Sequence, residues 1–229
     1  MTYNMNDVVA YFSDRLKKYG ANDERSLGWS KNKQEVRFKQ LFRFLNPGGK
    51  EKRETLLDIG CGFADMYAFI EKNANHSNID YWGMDIVQEF IDIAGKNYPE
   101  KLDQLLCGNF LECDERKKYD YCIASGIFCV YESEEQNYEF IKKAMTKALN
   151  MSNIGIAMNF LSDKIDYRTS EKDFHASPEK ILTLSYGLSR NVILDNSIMP
   201  FEFCVTIFKD ENFDKDTTIF NYAEAFCKE

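Results

Sequence analysis

The sequence predicts a doubly wound α/β fold: a mostly parallel, seven-stranded sheet covered by helices on both faces and ending in an antiparallel hairpin. Three observations carry that expectation. Short apolar runs of strand length alternate with segments whose apolar residues recur at helical spacing, the pattern of a parallel sheet with crossover helices. The first such run ends in Gly60-Cys61-Gly62, which reads as a strand entering a tight turn ahead of a helix. The last two runs are separated only by Met199-Pro200, too short for a crossover, so they pair antiparallel. At 229 residues the chain is expected to form one domain.

The elements follow in order. Residues 6–19 place Val8, Val9, Tyr11, Phe12, Leu16 and Tyr19 on a helical stripe. A polar stretch follows, and a second helix is expected from Asn32, which can cap it with Glu35 three residues on. That helix carries Val36, Leu41, Phe42, Phe44 and Leu45 and stops at Asn46-Pro47-Gly48-Gly49. Strands are then predicted over 55–59, 79–86, 104–110, 119–128, 153–161, 192–198 and 201–208. Helices are predicted over 65–72, 87–97, 134–150 and 177–188, the last with Ser177 as cap and Pro178 in its first turn. No internal repeat or low-complexity segment interrupts the series.

Composition narrows the function. Hydrophobic residues make up 44% of the chain, enough for one sizeable core and too many for a disordered chain. The formal net charge is -8, and the nearest basic runs, at 50–53 and 116–118, are interrupted or flanked by acids. Nucleic acid is therefore not an expected partner, because binding a polyanion needs clustered Lys and Arg. The seven cysteines are odd in number, scattered and partly set in apolar runs, as expected of thiols in a reducing compartment. With only two histidines, they offer no metal-ligand spacing, and no metal is expected. Without a signal pattern or a stretch of ~20 apolar residues, the chain reads as cytoplasmic with no membrane partner.

Four segments carry chemistry. Gly60 and Gly62, directly after a strand, let the backbone turn sharply and approach a ligand beside the N–H groups of the next helix. Asp65 stands where a dinucleotide fingerprint has its third glycine, and no Gly-Lys-Ser/Thr follows, so neither a nicotinamide site nor a P-loop is expected. Asp85, at the tip of the second strand, can accept hydrogen bonds from both hydroxyls of a ribose, or else cap the following helix. Asn109 carries a donor and an acceptor for an adenine edge, or else is a turn asparagine. Ala124, Ser125 and Gly126 leave space at the end of the fourth strand, in the crevice where open α/β sheets bind ligands.

Asp58-Ile59-Gly60-Cys61-Gly62, Asp85, Gly108-Asn109-Phe110 and the stretch 120–128, in this order and spacing, resemble the class I S-adenosylmethionine-dependent methyltransferases. The resemblance covers roughly 55 to 208 and implies a Rossmann-like core over 51–229 with an N-terminal helical lid over 1–50. It implies S-adenosyl-L-methionine as cofactor. Gly60, Cys61 and Gly62 would wrap its methionine part and Asp58 would orient its amino group. Asp85 would hold the ribose, Ile86 would pack on adenine, and Asn109 with the Phe110 backbone would read the adenine edge. Ala124 and Ser125 would offer backbone groups near the sulfonium. Ala64 stands where a third glycine is common, and Asn109 where aspartate is common. In the lid, which looks like that of small bacterial methyltransferases, Trp29 would close over the cofactor. Arg37 would pair two-pronged with the cofactor carboxylate, or else be a solvated helix-face residue. Some members of that group serve surface-polysaccharide decoration, including methylation of a phosphoramidate group.

The implied reaction moves a methyl group to an oxygen or nitrogen of a small-molecule acceptor. His175, with an ordinary pKa near ~6.5, is a candidate base; Tyr131 and Glu132, just past the fourth strand, are the others. Their alternatives are plain surface, packing and helix capping. Phe160, Tyr167 and Tyr186 are candidate walls of the acceptor pocket or ordinary core aromatics. Two other functional classes stay open: an oxidoreductase on the same architecture, and a non-catalytic binding module. Acceptor identity and oligomeric state are not legible in the sequence.

Overall fold

A computed structural model describes residues 5–221 apart from 22, 29–30, 46–52, 74–75, 77, 131 and 168–172. In chain order it contains α1 (Met5–Tyr19), α2 (Lys31–Leu45), β1 (Glu54–Ile59), α3 (Asp65–Lys72), β2 (Ile79–Asp85), α4 (Gln88–Asn97), β3 (Leu105–Cys107), β4 (Tyr119–Ala124), α5 (Glu134–Met151), β5 (Ser152–Leu161), α6 (Pro178–Tyr186), β6 (Val192–Asp195) and β7 (Glu202–Phe208).

The seven strands lie in the order β3-β2-β1-β4-β5-β7-β6. The pairings β2–β3, β1–β2, β1–β4 and β4–β5 are parallel, while β5–β7 and β6–β7 are antiparallel. The expected sheet and closing hairpin are present. Strand order reverses between β1 and β4, so a crevice opens at the carboxyl ends of those strands, where sheets of this kind bind ligands.

Side chains that alternate along each strand divide between two cores. On one face Leu56, Tyr81, Tyr121, Ile123, Ala157 and Cys204 meet Phe38, Leu41, Phe42 and Leu45 of α2, Met66, Phe69 and Ile70 of α3, and Ile91 and Ala94 of α4. On the other, Leu57, Cys122, Ala124, Ile156, Met158, Val205 and Ile207 meet Ile141, Ala144, Met145 and Ala148 of α5 and Ile181 of α6. Each fully buried Leu, Ile or Phe contributes ~1.5–3 kcal/mol of transfer free energy. The helix α2 is thus a full member of one layer. Only α1 stands apart, held by a small cluster in which Phe12, Leu16 and Leu27 pack on Phe63, Val87 and Phe90. The boundary expected at 50–51 falls outside the described residues.

Several element ends differ from the sequence expectation, each for a local reason. The helix α2 starts at Lys31, which puts Asn32 inside the first turn rather than in the flanking cap position. The strand expected over 104–110 shrinks to Leu105–Cys107, because 3-10 turns at Pro99–Gln104 and Phe110–Glu112 bracket it. The fourth strand stops at Ala124 and does not reach 128: Gly126 has φ +79° and its N–H donates to Asn159 Oδ1 at 2.8 Å. The sixth stops at Asp195, whose carboxylate accepts the Ser197 N–H at 2.9 Å, so residues 196–201 form the hairpin loop. At α6 the sequence reading holds, with Ser177 accepting from the Lys180 N–H.

Among the described residues no helix is long and apolar enough to cross a membrane. Nor do any three His, Cys, Asp or Glu side chains among them gather as a metal site. Cys61, Cys107, Cys113, Cys122, Cys129 and Cys204 are free thiols; Cys227 lies outside the described residues.

Candidate functional site

One pocket lies at the carboxyl ends of β1, β2 and β4. Asp58, Gly60, Cys61, Gly62, Asp85, Ile86, Asn109, Phe110 and Ser125 all line it, so nine of the residues singled out from sequence meet in one place.

The turn after β1 is built by backbone geometry. Gly60 and Cys61 both donate to the Met84 carbonyl, at 2.8 and 3.0 Å, tying the turn to the tip of β2. Gly60 and Gly62 have φ of +75° and +53°, the left-handed region that side chains resist. A Cβ on Gly60 would sit 2.3 Å from Ile127 Cγ2, so the crevice wall already fills that space. Ala64, preceding α3, also has φ 62°. An alanine there carries a strain of ~1–2 kcal/mol that glycine, common at this position in the resembling family, would avoid. The Cys61 thiol is buried against Gly83, and burial beside Asp85 and Asp58 pushes its pKa well up.

Asp85 joins the two halves of the site. Its Oδ2 accepts the Gly62 N–H and its Oδ1 accepts the Val87 N–H, each at 2.9 Å. The ribose and capping readings of the sequence are therefore compatible, since each carboxylate oxygen has a second acceptor direction. Burial raises its pKa, against the lowering effect of those backbone donors. Asp58 is 3% exposed and accepts the Tyr81 hydroxyl at 2.9 Å. Burial, reinforced by the nearby Asp85 and Asp65 charges and opposed by the Tyr81 bond, pushes its pKa up to about 7.

Asn109 lines the pocket but spends its side chain on its own turn. Its Oδ1 accepts the Leu111 N–H at 3.0 Å, and its Nδ2 donates to Glu112 at 3.0 Å. Of the two alternatives for Asn109, the turn asparagine is the one built into the fold. Ala124 is fully buried in the core and does not line the pocket, whereas Ser125, Gly126 and Ile127 do.

Other sequence candidates lie elsewhere. Arg37 lines the pocket, but the carboxylate it grips is internal: Nε and Nη2 donate to Glu202 Oε2 and Oε1, both at 2.6 Å. It is 4% exposed, so it is not a solvated helix-face residue. His175 is not a lining residue; its Nδ1 lies 2.8 Å from the Ser162 carbonyl, and Nε2 is buried with no hydrogen-bond partner. Glu132 is also off the pocket, its N–H donating to Asn137 Oδ1 as part of the approach to α5. Phe160 is core, stacked between Phe128 and Phe203, and Tyr167 and Tyr186 are exposed, so none of the three is a wall of this pocket. Trp29 and Tyr131 lie outside the described residues.

The structure adds walls that sequence reasoning missed. Met5, Val8 and Phe12 of α1, Leu27, Phe38, Phe90, Ile127, Val130 and Phe140 all face the pocket. The i, i+3, i+7 spacing of Met5, Val8 and Phe12 was the available signal, but it looks the same for a helix on a core as for one over a ligand. Nothing local to Leu27 marks it.

No family model matches the sequence, and no curated protein matches it. In three dimensions the chain is similar to magnesium protoporphyrin IX methyltransferase (ChlM) from Synechocystis PCC 6803. The structure with bound SAH gives a TM-score of 0.63 at 12% identity over 90% of this chain and 99% of that one. The structure with bound SAM gives 0.62 at 12% identity, over 91% and 98%. The pyocyanin biosynthetic protein PhzM matches with a TM-score of 0.59 at 12% identity, over 86% of this chain and 61% of that one. At these identities the likeness is one of architecture, and the architecture is the Rossmann-like methyltransferase fold.

Proposed function

We propose that this chain is an S-adenosylmethionine-dependent methyltransferase that transfers a methyl group to an oxygen or nitrogen of a small molecule. One observation carries the reading: the glycine turn after β1 and the carboxylate at the tip of β2 converge on one pocket, joined by the 2.9 Å bond from Gly62 to Asp85. The donor set fits the cofactor. Asp58 and Asp85 present acid to a ligand with an ammonium and a sulfonium, and Gly60 and Gly62 keep side chains away from its path. Asp65 opens α3, where a pyrophosphate would meet a like charge, which supports this reading over an oxidoreductase.

The roles follow from position. The backbone of Gly60, Cys61 and Gly62 holds the methionine part, and Asp58 orients its amino group. Asp85 accepts from the ribose hydroxyls while still tying Gly62 to Val87, and Ile86 packs on the adenine. The Phe110 backbone and Asn109, whose side chain also caps its turn, stand at the adenine edge. The Ser125 backbone, just past β4, faces the reacting centre. When bound, the cofactor supplies a methyl group already activated on sulfur. The protein then has to position the acceptor and exclude water. Met5, Val8 and Phe12 close that side of the pocket, so α1 serves as its lid.

Calorimetric titration with S-adenosylhomocysteine tests the reading. Asp85→Ala should weaken binding by ~1–3 kcal/mol, as loss of hydrogen bonds to a charged group does, about 5- to 150-fold. Asp85→Asn, which keeps one backbone acceptor, should fall between. No heat with wild type, or unchanged affinity in Asp85→Ala, refutes the assignment.

A further inference from the structure

We infer that the cofactor binds with release of a proton from Asp58, so that the pocket takes its ligand more tightly as pH rises through neutrality. The inference rests on the methyltransferase reading and adds a pH control to the same site. The placement of the carboxyl carries it. Asp58 pairs with Gly83 of β2 on one side and Ile123 of β4 on the other. Its side chain shares the face of β1 that Leu56 presents to α2 and α3. It lines the pocket yet is buried, and a buried carboxylate loses the water that would stabilise its charge. The partner the fold supplies is neutral: Tyr81, itself fully buried, donates its hydroxyl at 2.9 Å.

The ionisable groups around Asp58 differ in how they are held. Asp85, at the tip of β2, accepts two backbone N–H groups. Asp65, at the start of α3, accepts the Gln34 amide of α2 at 2.9 Å. Arg37, the α2 cation in the pocket wall, is gripped on two nitrogens by Glu202 of β7. The Cys61 thiol of the turn is held neutral by burial and by the two carboxyls beside it. Asp58 is the most deeply buried of the three acids, and both other carboxylates oppose its ionisation, so it keeps its proton up to about 7. An ammonium group seated against it reverses that balance, because an opposite charge favours the ionised form. The Asp58 O–H bond then breaks, its electron pair stays on the carboxylate, and the proton passes to the buffer. Tyr81 donates to the carboxyl before and after. Above pH about 7 the group is already ionised and binding displaces no proton; below it, each ligand bound displaces one. Affinity therefore falls as pH falls through that value. If the bound form stays ionised throughout, release is ~0.5 proton at pH 7 and ~0.9 at pH 6. Affinity is then about eightfold tighter at pH 7.5 than at pH 6.

The test is calorimetric titration of S-adenosylhomocysteine into the full chain from pH 6 to 7.5, in buffers of differing ionisation enthalpy, which counts the protons released. The matched control is 5′-methylthioadenosine, which keeps the adenosine and lacks the amino-acid part. Its proton release should be near zero, whereas coupling through Asp85 would appear with both ligands. Asp58→Asn should bind S-adenosylhomocysteine more weakly, with no proton release and less than twofold change across the pH range. Tyr81→Phe removes a donor that favours the ionised carboxylate, so release at pH 7 should rise toward one proton, which a purely structural role for Tyr81 would not produce. If Asp58→Asn binds too weakly to titrate, the control ligand and Tyr81→Phe decide. No proton release by wild type at pH 6, or equal release with 5′-methylthioadenosine or in Asp58→Asn, overturns the inference. Failure of S-adenosylhomocysteine to bind wild type at any pH sinks the methyltransferase reading, and the inference with it.

Discussion

Replacing Asp58 by asparagine should stabilise the empty protein, and by an amount that grows with pH. In the unfolded chain this carboxyl loses its proton near its ordinary value of 3.8; in the folded protein it does so near about 7, chiefly because burial penalises the charged form. Between those values the folded state holds the extra proton, so wild-type stability falls as pH rises through the window and levels off above it. The full displacement corresponds to ~4 kcal/mol, of which ~2–3 kcal/mol develops between pH 5 and pH 8. The amide in Asp58→Asn still accepts the Tyr81 hydroxyl through Oδ1 and has no charge to bury. For a chain of this size each kcal/mol moves the melting temperature by ~2–4 °C, so the gap between variant and wild type should widen by about 5–10 °C from pH 5 to pH 8. Asp85 is also raised by burial; because its charge acts on Asp58, the variant relieves it of a like charge, which acts in the same direction. Thermal melts in matched ionic strength at pH 5, 6, 7 and 8 read the effect. A gap that stays constant with pH would refute the reasoning. The same substitution should weaken S-adenosylhomocysteine binding, because the proposed partner of the amino group is gone: stability gained and affinity lost in one variant.

Two further variants examine Arg37 and His175. Arg37→Met strands the Glu202 carboxylate in the core and should cost ~3–5 kcal/mol in a urea denaturation midpoint analysis, with Arg37→Met/Glu202→Leu recovering much of it; a loss below 1 kcal/mol would mean the pair is not held as described. His175→Ala removes the contact to the Ser162 carbonyl and should cost ~0.5–1.5 kcal/mol of stability; an unchanged urea midpoint would mean that contact is not held as described.

The fold was legible because its signals are local and repeated. Each strand run, each helical stripe and the cap at Ser177 is decided by a few neighbouring residues, and their alternation leaves one sheet architecture. The ends were less legible for the same reason. Asn109, Gly126 and Asp195 each end or bend an element through a hydrogen bond to a specific partner. The Gly126 partner, Asn159, is 33 residues away, beyond any local pattern.

The site divides along that line too. The gathering of the glycine turn, Asp85 and Asn109 in one pocket was readable because each sits at a strand tip, where topology brings successive βα connections together regardless of what the rest of the chain does. The other walls of the pocket were not, because they are assembled from long-range contacts that reuse residues of ambiguous type. Arg37 and Glu202 are 165 residues apart, and an arginine on a helix face offers no clue that an internal carboxylate will hold it. Met5, Val8 and Phe12 look like any amphipathic stripe until α1 is seen to rest on the small Phe63, Val87 and Phe90 cluster rather than on either main core. The helix that lines one side of the pocket is thus held by this small cluster and by the Ser13–Glu89 hydrogen bond rather than by either main core.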